Sequence, residues 1–400
     1  MTATASTPSP HLVVSALGVT QILAWGSSFY LLTVLATPIA GDTRWLPAWI
    51  VGGLSLGLLI AGLASPLIGR LIQRHGGRPV LAASALLLAG GLALLALSPT
   101  LPVFIAGWIV MGLGMSAGLY DAAFSTLGRL YGQAARQYMT MLTLFGGLAS
   151  TACWPLSAYL VAELGWRGAC GVYAGIHLLI CLPIYLFALP GGRPPARPEA
   201  QPDPVARPAE SSPRRSRAAY LLLAVTIMLG SMVSAVISVH LLTIIQARDI
   251  ALSAAVALGA LVGPSQVGAR FLEMLVSRYH HPIWTLLVST GLVALGLGLL
   301  WAGIPIIAIA LVFYGAGIGL ESVARATLPL ALFGAADYAP IMGRLARPSL
   351  IAQALAPSVG AVLIQLMGPN AALGVIVLLA VLDLLLALLL FAFAGTRTRD

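Results

Sequence analysis

The chain is 400 residues long, 59% hydrophobic and 8% charged, with 21 basic residues, 12 acidic residues and a formal net charge of +9. Soluble domains carry about a quarter charged residues, so this composition excludes a soluble globule of this length, which could not cover its surface. The apolar runs are continuous rather than short and alternating, which excludes a β-barrel, and they outrun buried core helices, which leaves helices that cross a bilayer.

Residues 1–10 are polar and lack the basic stretch of a signal peptide, and the apolar stretch behind them is too long for one. They read as a disordered N-terminus ahead of a retained first span. Six spans follow, at 11–39, 46–73, 79–99, 101–131, 137–163 and 167–189. Crossing takes roughly 20 residues, so the longer spans tilt or project from the bilayer. Residues 190–217 then interrupt the apolar sequence with eight Pro, six Arg and Val205 as the one apolar side chain larger than alanine. This stretch reads as a slack linker. Six more spans follow at 218–246, 251–279, 282–302, 304–334, 340–368 and 370–394, with a tail at 395–400.

Every basic residue is arginine. With the N-terminus inside, sixteen arginines fall in inner loops, linker and tail, and three (Arg44, Arg167, Arg248) in outer loops; Arg270 and Arg325 lie within spans. That asymmetry puts both termini and the linker in the cytoplasm, and the expected location is a bacterial cytoplasmic (inner) membrane. The positive charge therefore orients the chain and does not call for nucleic acid. Cys153, Cys170 and Cys181 sit in or beside spans and imply neither a disulfide framework nor a zinc site. GLGMSAG (112–118) has no strand before it, so it is a helix-packing GxxxG face and not a nucleotide loop. No catalytic motif appears. The expected partners are a small-molecule substrate and the bilayer, without metal or cofactor, with an ion gradient as energy source and a monomer as working unit.

The two halves repeat. MGLGMSAGLYDAAF (111–124) resembles YGAGIGLESVARA (314–326), with Asp121 opposite Glu321, and WPLSAYLVAELG (154–165) resembles APSVGAVLIQLMG (356–368). Parallel repeats of six spans are expected to bind their substrate near the bilayer midplane.

The loop GRLIQRHGGRPV (69–80) resembles the signature loop of the major facilitator superfamily. Gly69, Arg74, Gly76 and Arg78 match its pattern, while Gln73 stands where an acidic residue is usual and Pro79 where a second basic residue is common. The resemblance extends over the chain: twelve spans, a 6+6 repeat and a central linker. It implies an all-α integral membrane protein of twelve transmembrane helices, in two six-helix bundles with pseudo-twofold symmetry, working by alternating access. Trp108, before Gly112 and Gly114 in place of an arginine, and the run RLYGQAARQYMTMLTLFGGLAS (129–150) resemble the monocarboxylate-transporter and oxalate–formate-exchanger branch. There an arginine in span 8 holds the substrate carboxylate, which GPSQVGAR (263–270) matches with Arg270; Gln266 stands where some members carry an aspartate. The chain also resembles small efflux carriers for arsenite-type toxicants.

Ionisable side chains inside spans are costly and each needs a reason. Arg270 shares a helical face with Gln266 and Glu273, which fits either an anion site, since a guanidinium grips a carboxylate as a fork, or a local pair with Glu273. Glu321 and Arg325, four apart, can pair along one face. Asp121 has no basic neighbour within a turn, so it finds a partner on another helix, reaches water or carries a proton. These four, Asp121, Glu321, Arg325 and Glu273, are the coupling and gating candidates. Arg270, Gln266, Trp25, Tyr30 and Tyr120 are the substrate-binding candidates. Asp383 in the last span reads as peripheral. The leading reading is a carrier of a small organic anion; the alternative is efflux of a trivalent arsenical or drug-like toxicant, and a membrane sensor or enzyme is more remote.

Overall fold

The computed structural model describes residues 9–191, 213–304 and 306–395. Most of the expected N-terminal tail, linker and C-terminal tail lie outside the described residues. Among those described, all regular structure is helical: α1 Pro10–Gly26, α2 Leu31–Thr43, α3 Pro47–His75, α4 Gly77–Ala96, α5 Leu101–Gly118, α6 Tyr120–Tyr131, α7 Ala135–Gly147, α8 Ala149–Ile176, α9 Leu182–Ala188, α10 Pro213–Gln246, α11 Leu252–Gly259, α12 Val262–Val276, α13 Pro282–Trp301, α14 Ile307–Phe333, α15 Tyr338–Met367 and α16 Pro369–Gly395. Ten stretches of the described chain are long and apolar enough to cross a membrane. One of them, Leu101–Ala188, runs for 88 residues, about four times the length a crossing needs. It contains the three expected spans 101–131, 137–163 and 167–189, so ten stretches accommodate twelve spans.

Several expected single spans are broken, and side-chain chemistry explains where. The first span divides at 27–30, where Ser27 Oγ and Ser28 Oγ donate to Leu23 O (2.7 Å) and Ala24 O (2.5 Å) and so compete for the carbonyls of the last turn of α1. A second break lies at Leu119, whose backbone is extended (φ −81°, ψ −169°) between α5 and α6. Gly165, at φ +70° inside α8, makes the turn that separates the expected fifth and sixth spans. Gly76, at φ +87°, turns the chain from α3 into α4, a conformation costly for any residue with a Cβ.

The chain forms two compact units. Among the described residues, the first comprises those before the linker together with 329–354, and the second comprises those from the linker to 328 with those after 354. The division thus cuts through α14 and α15, whose adjoining ends pack with the first unit, instead of falling at the linker alone.

In the first unit, α5 packs along both α3 and α4. Trp108 is fully buried there, its ring lying over Gly53 and Gly57 of α3; a Cβ at Gly57 would stand 3.2 Å from Cε3. Lipid tails are as apolar as these side chains, so close packing through small residues, and not water exclusion, holds the helices together. Leu31, Leu35, Phe104, Met111, Cys170 and Tyr173 complete this core. At one end Asp42 accepts from Trp166 Nε1 (2.9 Å) and pairs with Arg167. In the second unit α16 packs along α10 and α13, around Val233, Ile237, Leu297, Tyr314, Leu373 and Ile376.

Candidate functional site

The break at 27–30 turns the end of the first span into a platform of rings in the first unit. Trp25 lies 5.3 Å from Phe29, 6.1 Å from Tyr30 and 5.1 Å from Tyr120, measured between ring centroids. Tyr30 meets Trp154 edge-on at 6.1 Å, and Tyr120 stacks on Phe124 at 5.0 Å. The structure therefore brings together Trp25, Tyr30 and Tyr120, and adds Phe29, Phe124 and Trp154. The i,i+4 spacing of Trp25 with Phe29 and of Tyr120 with Phe124 is a readable signal for two of the additions; nothing local marks Trp154. Trp25 Nε1 donates to Gln21 Oε1 (3.2 Å), and Gln21 Nε2 donates to Gly118 O (2.6 Å). Gln21 thus orients the indole and satisfies a carbonyl released by the break at Leu119. This surface is uncharged, and its ring faces suit an apolar or aromatic body.

Beneath it, buried Ser27 hydrogen-bonds His177 (Oγ–Nε2 2.8 Å). His177 begins a π-helical turn, His177–Cys181, and its Nδ1 has no partner among the described residues. Sequence reasoning passed over His177; π-turns carry no local sequence signature, although they recur at functional positions.

Asp121 sits in the first turn of α6, directly after the break, where the positive end of a helix favours a carboxylate. It lines a small cavity with Ser65, Ile68, Gly69, Ile72, Ser116, Ala122, Ser125 and Gly343. The signature residues Gly69, Arg74, Gly76 and Arg78 occupy the end of α3 and the turn into α4. Gly69 packs against Ala339 and Gly343 of α15, and Ser65 Oγ donates to Gly343 O (2.9 Å). Gln73, in place of an acid, donates from Nε2 to Ala336 O (2.8 Å) and accepts at its own carbonyl from Arg129. A neutral Gln73 side chain bonded to a backbone carbonyl thus stands where the resemblance implies an acidic residue.

The second unit gathers the charges. Arg270, on α12, is 6% exposed. Its Nε donates to Gly319 O (3.2 Å) on α14 and its Nη2 to Gln266 Oε1 (3.3 Å). The two helices come close here: a Cβ at Gly319 would stand 2.6 Å from Gln266 O. Glu273, on the same face as Arg270, turns its carboxylate to other groups. Oε1 accepts from Thr285 Oγ1 (2.7 Å) and Oε2 lies 3.5 Å from His280 Nε2. The local pair with Arg270 considered from the sequence therefore gives way to a tertiary contact twelve residues along the chain. Glu321 lies on α14 with its carboxylate against Gly230 of α10, and Arg325 follows one turn later. Asp383, expected at the periphery, is 5% exposed on α16.

Comparison with known proteins bears on this arrangement. Residues 17–282 match the family model of the Major Facilitator Superfamily. Mouse monocarboxylate transporter 6 is 30% identical over 143 residues, 35% of this chain and 29% of that protein. Human monocarboxylate transporter 11 is 29% identical over 168 residues, 40% of this chain and 33% of that protein. The matched segment thus spans about a third of these relatives' own length. The human organic anion transporter MFSD10 (TETRAN) superposes with a TM-score of 0.73 at 17% identity, covering 95% of this chain and 100% of its own. The proton:xylose symporter XylE superposes with a TM-score of 0.68 at 15% identity, covering 94% of each chain. With a family model spanning more than half its length and the superfamily's fold throughout, this chain belongs to the major facilitator superfamily of membrane transporters.

Proposed function

We propose that the protein is a secondary active carrier of a small organic anion, working by alternating access and driven by an ion gradient. The observation that carries this reading is Arg270, a 6% exposed guanidinium inside a membrane helix. Ionisable side chains inside membrane helices are costly and mark substrate pathways, which makes this arginine the candidate anion site. Gln266 and Gly319 O fix its orientation, as a site for bidentate recognition of a carboxylate requires. The relatives named as monocarboxylate transporters and the solved organic anion transporter add support from outside the chain. The reading extends to a monomer in a bacterial inner membrane with both termini cytoplasmic, resting on the arginine asymmetry of its loops, and to a chain that needs no metal or cofactor. The coupling ion is taken to be the proton.

Uptake of a panel of radiolabelled carboxylates into proteoliposomes tests it, with Arg270→Ala as control. Uptake of at least one carboxylate, lost in the variant, is expected; equal uptake of every carboxylate by both proteins contradicts the anion site. The six-ring surface around Trp25 favours a second reading, export of a bulky drug-like compound, for which resistance of cells expressing the protein would be the readout.

A further inference from the structure

The small cavity beside Asp121 carries chemistry that an organic anion does not use. It lies wholly in the first unit, where α5 ends and α6 begins, with α3 and the start of α15 as its other walls. Its volume is about 10 Å³, room for one particle of water's size and for no organic substrate. Four lining residues carry a side-chain oxygen: Ser65, Ser116, Asp121 and Ser125. The rest of the lining is apolar or glycine, so no Arg, His or Cys faces it.

Hydrogen bonding leaves these oxygens as acceptors. Ser65 Oγ donates to Gly62 O (2.8 Å) or Gly343 O (2.9 Å), and Ser125 Oγ donates to Asp121 O (2.6 Å). A hydroxyl that has given its proton still has lone pairs to offer. Ser116 Oγ, on a residue 6% exposed, has no hydrogen-bond partner among the described residues. A buried hydroxyl without a partner is costly, which points to a partner that the chain itself does not supply. Ser116 also lies in the last turn of α5, at the negative end of that helix's dipole, where a cation is favoured. Asp121 has contacts elsewhere, but a carboxylate presents about four lone-pair sites and can hold an ion besides.

One carboxylate, three hydroxyl oxygens and a negative helix end describe a site for a hard cation. A monovalent ion beside one carboxylate leaves the cavity neutral, whereas a divalent ion would leave a positive charge inside the membrane. Calcium takes about six to eight oxygens and magnesium keeps several waters, more than this cavity holds. Zinc prefers nitrogen and sulfur, and among the described residues no group of three or more His, Cys, Asp or Glu is placed to hold a metal. We infer that the first unit binds one sodium ion here, held by the Asp121 carboxylate and Ser116 Oγ, with the hydroxyl oxygens of Ser65 and Ser125 completing the shell. The cavity is partly open, so the ion exchanges with the medium and is not a resident metal. Ser65 also bonds Gly343, so the ion braces α3, α5, α6 and the start of α15 at the end of the unit that bears the signature turn. Nothing in this site depends on what Arg270 binds.

Equilibrium binding of radioactive sodium to the purified full chain, in choline chloride and without substrate, tests the site. Wild type is expected to bind sodium saturably, with unlabelled sodium displacing it and equimolar potassium leaving most of it bound. Asp121→Asn is expected to abolish binding, and Ser116→Ala to weaken it about tenfold, the loss of one hydroxyl from an ionic contact. No saturable binding by wild type overturns the site and leaves the cavity to a water molecule; so does displacement by potassium as readily as by sodium, or either variant binding like wild type. Should Asp121→Asn fail to fold, Ser116→Ala decides alone, since it removes one oxygen and leaves the helix intact. The sodium concentration that half-saturates a rise in melting temperature should move by the same tenfold in Ser116→Ala. A variant that is merely less stable would melt earlier at every sodium concentration without moving that midpoint, and this result overturns the site.

Discussion

The two units hold opposite chemistry. The first buries neutral polar groups and rings: Gln21, Ser27, Ser28 and His177 beneath Trp25, Phe29, Tyr30 and Tyr120. The second buries ionisable groups: Arg270, Glu273 and Asp383, with Glu321 beside Gly230. The repeat positions Asp121 and Glu321 show how the difference arises. At the first, α5 stops and α6 begins, leaving Asp121 in a first turn; at the second, α14 runs unbroken past Glu321. Aspartate competes for nearby backbone groups and favours helix starts, whereas glutamate is a good helix former that keeps a helix going. A one-methylene difference thus goes with a broken helix in one unit and a continuous one in the other. One unit therefore offers an apolar surface, and the other the charge that a bilayer tolerates only for a purpose.

This contrast predicts that the two units fail differently. The largest effect should come from Arg270→Ala, which removes a buried charged donor set worth about 2–5 kcal/mol, a fall of roughly 30-fold or more in carboxylate uptake rate. Arg270→Lys should recover only part of it, because an ammonium cannot form the planar fork. Next, Gly230→Val would push a side chain into the Glu321 carboxylate and cost about 1–3 kcal/mol, seen as a lower melting temperature in detergent. Gly90→Ala, which meets nothing within 4 Å inside α4, should hold or slightly raise the melting temperature and serves as its control. In the first unit, Trp25→Ala should cost about 1 kcal/mol of affinity for anions with an aromatic body and little for acetate, measured by competition of uptake. The smallest effect should be at the signature turn. Gln73→Asp replaces a donor to Ala336 O with an acceptor, and a loss of about 1 kcal/mol should appear in melting rather than in affinity.

The sequence made some of this legible and hid the rest for identifiable reasons. Helical spacing alone puts Arg270 and Gln266 together in the second unit, and the same rule pairs Trp25 with Phe29 in the first. What it could not carry is contact between helices. Glu273 turns to Thr285 and His280, Trp154 joins the rings through Tyr30, and Gln21 bridges to Gly118, each beyond the reach of helical periodicity. Asp383 looked peripheral because it lies in the last span, yet α16 packs on α10 and α13 and buries it. The division of the chain into spans was readable from hydropathy. The breaks at 27–30 and at Leu119 were not: serine hydroxyls compete for carbonyls at the first, and a glutamine from another helix takes up the carbonyl freed at the second.

The central claim is that Arg270 recognises the carboxylate of a small organic anion. The most direct test is counterflow exchange of benzoate in competition with benzoate itself and with its neutral amide, in wild type and in Arg270→Ala. Wild type should be inhibited by the acid and not by the amide, and the variant should lose that discrimination. Equal discrimination in both proteins would contradict the account.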